Sequence, residues 1–148
     1  MRLQSAIFFL PDALPQVGAD SASAEKVLSI LKMEGVWMYA VTALPRSRAE
    51  QALRTVRLDS CFRGILTEGE SGCAVCSREM LEKAMRRLHS QKTDTVVFAG
   101  TEDTVRAAKN AGFRTVAVGG GVGENEWQEM CAIADEALTD YADWLNLT

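Results

Sequence analysis

The chain has one histidine, three prolines and no long apolar run, and each scarcity removes a class of function. His89 is the only histidine among 148 residues, so a Ser/His/Asp triad has no other base to draw on. Its place after a helical segment puts it at the surface. No stretch approaches the roughly 18 apolar residues of a spanning helix. The opening MRLQSAIFFLPDALP has an apolar core of six residues with no small-residue cleavage site behind it. Neither a membrane span nor a signal peptide is therefore expected, and the chain is read as cytoplasmic. Four cysteines in a domain of ordinary size read as free thiols rather than a disulfide framework. Basic excess is missing as well: sixteen Lys and Arg face twenty Asp and Glu, leaving a net charge of −4. That balance disfavours a nucleic-acid partner. Repeats, low-complexity tracts and linkers are missing too, so residues 1–148 are expected to form one domain.

What is present is an alternation of strand-like and helix-like segments. SAIFFL is a continuous apolar run, suited to a strand buried on both faces of a parallel sheet. A helix follows, with Ser23 as cap, Val27, Leu28 and Leu31 at helical spacing, and Gly35 as a left-handed stop. GVWMYAVT reads as the second strand, with Trp37 packed within it. Pro45 opens a helix lined by Ala49, Ala52, Leu53 and Val56. CFRGILTEG reads as a third strand, and SREMLEKAMRRL places Met80, Leu81, Ala84, Met85 and Leu88 on one helix face. TDTVVFAG is a fourth buried strand. TEDTVRAAKNAGF is a helix capped by Thr101 and stopped by Gly112, and RTVAV is a fifth strand. ADEALTDYADWL closes with a short strand and a helical turn. Repeated βα units predict an α/β, three-layer Rossmann-like fold, its parallel sheet covered by helices on both faces.

In such sheets ligands bind beyond the carboxyl ends of the strands. That directs attention to PDAL, TALPRS, GTEDT and GGGVGE. Taken in order, these segments and their flanks resemble the haloacid dehalogenase (HAD) superfamily, in particular its phosphoglycolate phosphatase-like and phosphoglucomutase-like members. IFFLPDAL resembles the family's opening IFDLDGTL. AEKVLSILKMEGVWMYAVTALPRSRAEQAL resembles its second-motif region, and CFRGILTEGES the segment after it. VVFAGTEDTVRAAKNAGFRTVAVGGG is similar in spacing and terminal glycines to VVGDSxxDxxAAKxAGxxxxxV.

The resemblance implies an Asp nucleophile ending strand one, a second Asp two residues on as general acid and base, a lysine beside the phosphate, and acids after strand four for Mg²⁺. On this chain the nucleophile position is Phe9, the acid/base position Pro11, and the usual glycine Asp12. The metal acids fall on Gly100 and Thr104, and the lysine falls near Val75 or Cys76. Thr42 keeps the phosphate-binding hydroxyl after strand two, with Arg46 and Arg48 nearby for an anion. Phosphoryl transfer requires an in-line nucleophile and positive charge to offset the phosphate. Phenylalanine cannot attack phosphorus, and Mg²⁺ calls for oxygen ligands. The long insertion of helical-cap members is also missing, with only about ten residues between Leu14 and Ala24, so a capless core is expected.

These readings lead to a HAD-like protein inactive as a phosphatase, without metal or cofactor, that keeps a role in binding a small anionic ligand or a partner, including a second copy of itself. The alternative is an active, Mg²⁺-dependent phosphate-monoester hydrolase rebuilt on Asp12, Glu102 or Asp103. Asp12 as a turn residue, and Glu102 and Asp103 as first-turn helix acids, favour the former.

Two further signals compete. CAVC, Cys73 to Cys76, precedes a helix as a redox pair would, but it stands alone, and Cys61, His89 and Cys131 are too scattered to complete a zinc site. VGGGVGE follows the fifth strand rather than the first and lacks an acidic ribose partner, so a chain reversal is the simpler reading. Trp127 and Trp144 are candidates for a partner surface.

Overall fold

The computed structural model describes residues 4–14 and 19–143, with only the backbone of Ala19 and Asp20. Six strands form one sheet: β1 (Ser5–Leu10), β2 (Trp37–Thr42), β3 (Phe62–Thr67), β4 (Thr95–Ala99), β5 (Arg114–Val118) and β6 (Glu136–Leu138). Their order is β3-β2-β1-β4-β5-β6, and every neighbouring pair is parallel. Helices α1 (Ala19–Met33), α2 (Arg46–Thr55), α4 (Arg78–Arg87), α5 (Glu102–Asn110) and α6 (Glu124–Ile133) alternate with the strands, and a four-residue helix α3 (Glu68–Ser71) follows β3. This is the expected three-layer Rossmann-like fold, without a cap domain. Only residues 11–18 separate β1 from α1.

All six residues of β1 are buried, as a strand covered on both faces must be. Phe8 of β1 stacks on its register partner Phe98 of β4, with centroids 4.5 Å apart, and meets Phe62 of β3 edge-on at 5.4 Å. Each such pair adds about 0.5–1.5 kcal/mol to the area it buries. The packing therefore clamps the centre of the sheet, where the strand order reverses between β1 and β4.

Four helices end in the same way. The residue after the C-cap donates to the carbonyl three back and the next residue to the one five back, with a left-handed residue at the bend. Those residues are Gly35 (φ 87°) after α1, Arg57 (φ 60°) after α2, His89 (φ 54°) after α4 and Gly112 (φ 87°) after α5. Glycine adopts this conformation without strain, whereas a side chain there costs about 1–2 kcal/mol. Because the sheet is parallel, all four bends lie at its amino-terminal rim.

Two expectations are corrected. The first helix begins at Ala19, so Ser23 is interior rather than a cap, the alanines of ADSASA carrying the helix upstream. Trp37 is not packed within its strand: it is the first residue of β2, at the sheet rim, and 41% exposed. The glycines after β5 do reverse the chain, turning it into α6, a helix not expected there, which is capped by Gly123 and runs back toward β6, with Met130 buried and Trp127 packed against the core. β6 and a helical turn at 141–143 are as expected. Trp144 lies outside the described residues. No helix among the described residues is long and apolar enough to cross a membrane.

Candidate functional site

The switch of strand order places the carboxyl ends of β1 and β4 side by side, where ligands of this fold bind. In this chain the crevice is filled from within. After β1 the chain folds into a tight turn through a cis Leu10–Pro11 peptide, with Ala13 N donating to Phe9 O (3.0 Å) and Leu14 N to Pro11 O (3.2 Å). The turn aims Asp12 across the crevice. One carboxylate oxygen, Oδ2, accepts from the backbone N–H of Gly100 (2.9 Å) and from the Thr104 hydroxyl (2.9 Å). Tyr141 O–H reaches in from the far end of the chain to Ala13 O (2.8 Å). The approach is so close that a Cβ on residue 100 would lie 2.5 Å from the carbonyl carbon of Asp12 and 3.1 Å from Ala13 N. Only glycine fits.

Burial pushes the Asp12 carboxyl above its usual range, while the bonds from Gly100 and Thr104 pull the other way. Phe9 lies within the core, 1% exposed. Thr42 is fully buried at the end of β2, its hydroxyl donating to Leu10 O (2.9 Å) and accepting from Leu44 N (3.1 Å). Arg46, at the start of α2, is engaged with Glu70: Nε and Nη2 both reach its carboxylate at 2.7–2.9 Å, and Nη2 also donates to Ile65 O at 2.7 Å. That bond raises the Arg46 pKa and lowers that of Glu70.

Where a lysine would balance phosphate charge, Val75 N donates to Glu68 Oε2 (2.7 Å), and Cys76 stands exposed beside it. The Cys76 thiol is pushed upward, first by partial burial and then by the charges of Asp103, Asp12 and Glu68. Of these acids Glu68 is held next to Cys76 by its bond from Val75 N. An upward shift is the opposite of what a redox-active CxxC needs. Glu102 pairs with Arg106 (2.9 Å), and its N–H donates to Glu126 (2.9 Å). Asp103 is exposed in the first turn of α5. Of the residues singled out from sequence, the structure thus joins Asp12, Gly100 and Thr104. Phe9, Thr42 and Arg46 face other partners.

The donor set does not suit Mg²⁺. Phe9 and Gly100 offer no side-chain oxygen, Asp12 already binds two protein donors, and no group of three or more Asp, Glu, His or Cys converges among the described residues. Tyr141 was not foreseen, and nothing local in its sequence points to a partner so far upstream. Thr104 was foreseen only as a lost metal position.

The fold and the position of this crevice define a Rossmann-like α/β protein organised around the β1/β4 switch. The family profile of haloacid dehalogenase-like hydrolases matches residues 21–118, and the chain belongs to that family. The matched span leaves out β1. Solved structures agree in fold. A provisionally named beta-phosphoglucomutase from Thermotoga maritima superposes with a TM-score of 0.78 at 16% identity, over 98% of each chain. The core domain of a provisionally named phosphoglycolate phosphatase from Streptococcus pneumoniae gives 0.70 at 18%, over 99% of this chain and 96% of that one. A haloacid dehalogenase-like family hydrolase from Streptococcus pneumoniae gives 0.76 at 12%, over 98% of each chain. No curated protein matches.

Proposed function

We propose that this chain is a HAD-like protein that has given up phosphoryl transfer and serves as a binding or partner module. The observation that carries the reading is the state of Asp12. It is the only carboxylate at the end of β1, and it is bound to Gly100 N and the Thr104 hydroxyl instead of facing an open pocket. A nucleophile must reach phosphorus in line, and the growing negative charge must be met by cations. In the region where a lysine would stand, Cys76 feels the negative charges of Asp103, Asp12 and Glu68, which disfavours a phosphate there. The connections after β1 and β3 are short, which leaves little chain for a lid that would exclude water.

The test is turnover of a panel of phosphate monoesters, including p-nitrophenyl phosphate, with and without Mg²⁺. The expected result is no rate above the buffer blank. A Mg²⁺-dependent rate abolished by Asp12→Ala would establish the rebuilt-hydrolase alternative instead.

A further inference from the structure

At the opposite end of the sheet a cleft of about 390 Å³ opens between the ends of α1 and α4, lined by Gln4, Glu34, Trp37, His89 and Ser90. Its volume falls in the range of small-molecule sites. Trp37 divides this cleft from a neighbouring one that contains Cys61 and Arg63. Arg63 covers the indole at 4.0 Å from its centroid but does not line the first cleft, and Trp37 as a residue is 41% exposed. Trp37 therefore presents a large aromatic surface to a recess in which polar groups converge.

His89 also lines the cleft, from a left-handed bend that α1 and α5 fill with glycine and α2 with Arg57.

The lining chemistry narrows the ligand. Glu34 can only accept, Gln4 both donates and accepts, and the Ser90 hydroxyl is paired with that of Thr95 at 2.9 Å. No Lys or Arg lines the cleft among the described residues, and α1 and α4 turn their negative ends toward it. Those helix ends disfavour an anionic ligand. The Arg63 cation on the ring also draws on the π density, so a second cation gains less there than an uncharged ring does.

We propose that this cleft binds an uncharged purine-type heterocycle, as base or nucleoside, stacked on Trp37 with its N–H and ring-nitrogen edge met by Glu34 and Gln4. The site is independent of what happens at the strand switch. The experiment is titration of the protein with adenosine, guanosine, AMP and agmatine, followed by calorimetry and tryptophan fluorescence. Saturable binding of a nucleoside is expected, weakened at least about tenfold by Trp37→Ala, as loss of a stacked base contact does. Gln4→Ala, at an exposed position, should weaken binding without altering the fold. His89→Gly should weaken it while leaving the thermal midpoint unchanged or higher, which a merely structural histidine would not do. The proposal is overturned if neither nucleoside binds at millimolar concentration, if AMP or agmatine binds as well as adenosine, or if folded Trp37→Ala and Gln4→Ala variants bind as the parent does.

Discussion

Adding one methyl group at residue 100 tests the filled crevice directly. In Gly100→Ala the new carbon would fall 2.5 Å from the Asp12 carbonyl carbon and closer still to its oxygen, so the turn after β1 must withdraw. Overpacking of this kind costs about 1–3 kcal/mol. Withdrawal also breaks the bonds from Gly100 N and Thr104 to the Asp12 carboxylate, and a hydrogen bond to a charged group is worth about 1.5–3 kcal/mol. The expected loss is about 3–5 kcal/mol, in the range reserved for a few named mechanisms. With a urea m-value near 2 kcal/mol/M, typical of small domains, the midpoint should fall by about 2 M. Asp12→Ala alone should cost only the tie, and the double variant should fall short of the sum of the singles by the worth of that tie, about 1.5–3 kcal/mol, because both act on the same contact. A Gly100→Ala protein within about 0.5 kcal/mol of the parent, or strict additivity, would refute the close approach.

Other outcomes follow from the same geometry. The folded-state pKa of Asp12 is raised above its ordinary value of 3.8, mainly by burial, so the folded protein binds more protons than the unfolded chain in that window. Stability from this group is thus greatest in acid and falls as pH rises from about 3.8 toward the raised value; urea titrations across that window should show the slope in the parent and its loss in Asp12→Asn. His89→Gly relieves a left-handed side chain and should raise stability by about 0.5–1 kcal/mol in denaturant melts. Arg46→Ala breaks a half-exposed pair with Glu70 and should cost about 1 kcal/mol or less by the same measure.

Much of the fold was legible because burial leaves a mark on composition. β1, β2, β4 and β5 are apolar runs, and the buried row Met80, Leu81, Ala84 of α4 repeats at helical spacing. α6 was overlooked because only Met130 of its ten residues is buried, so its apolar face leaves a faint pattern behind the glycines. Trp37 misled because strand propensity describes a pleated, half-buried surface, not the first residue of a strand at the rim. At the switch point the departures of Phe9, Pro11 and Gly100 from the motifs that the sequence resembles could be read from spacing. The tie between Asp12 and Gly100 could not, since 88 residues separate them and only the folded sheet brings them together.

That tie acts as a ratchet on sequence change. An acid restored at residue 100 cannot be accommodated while the turn holds its place, and a carboxylate restored at Phe9 would stand in the core. Either of these two steps passes through a chain less stable than the present one, so reopening the crevice calls for both loops to be rebuilt together. Packing alone is enough to hold Asp12 and Gly100 against each other.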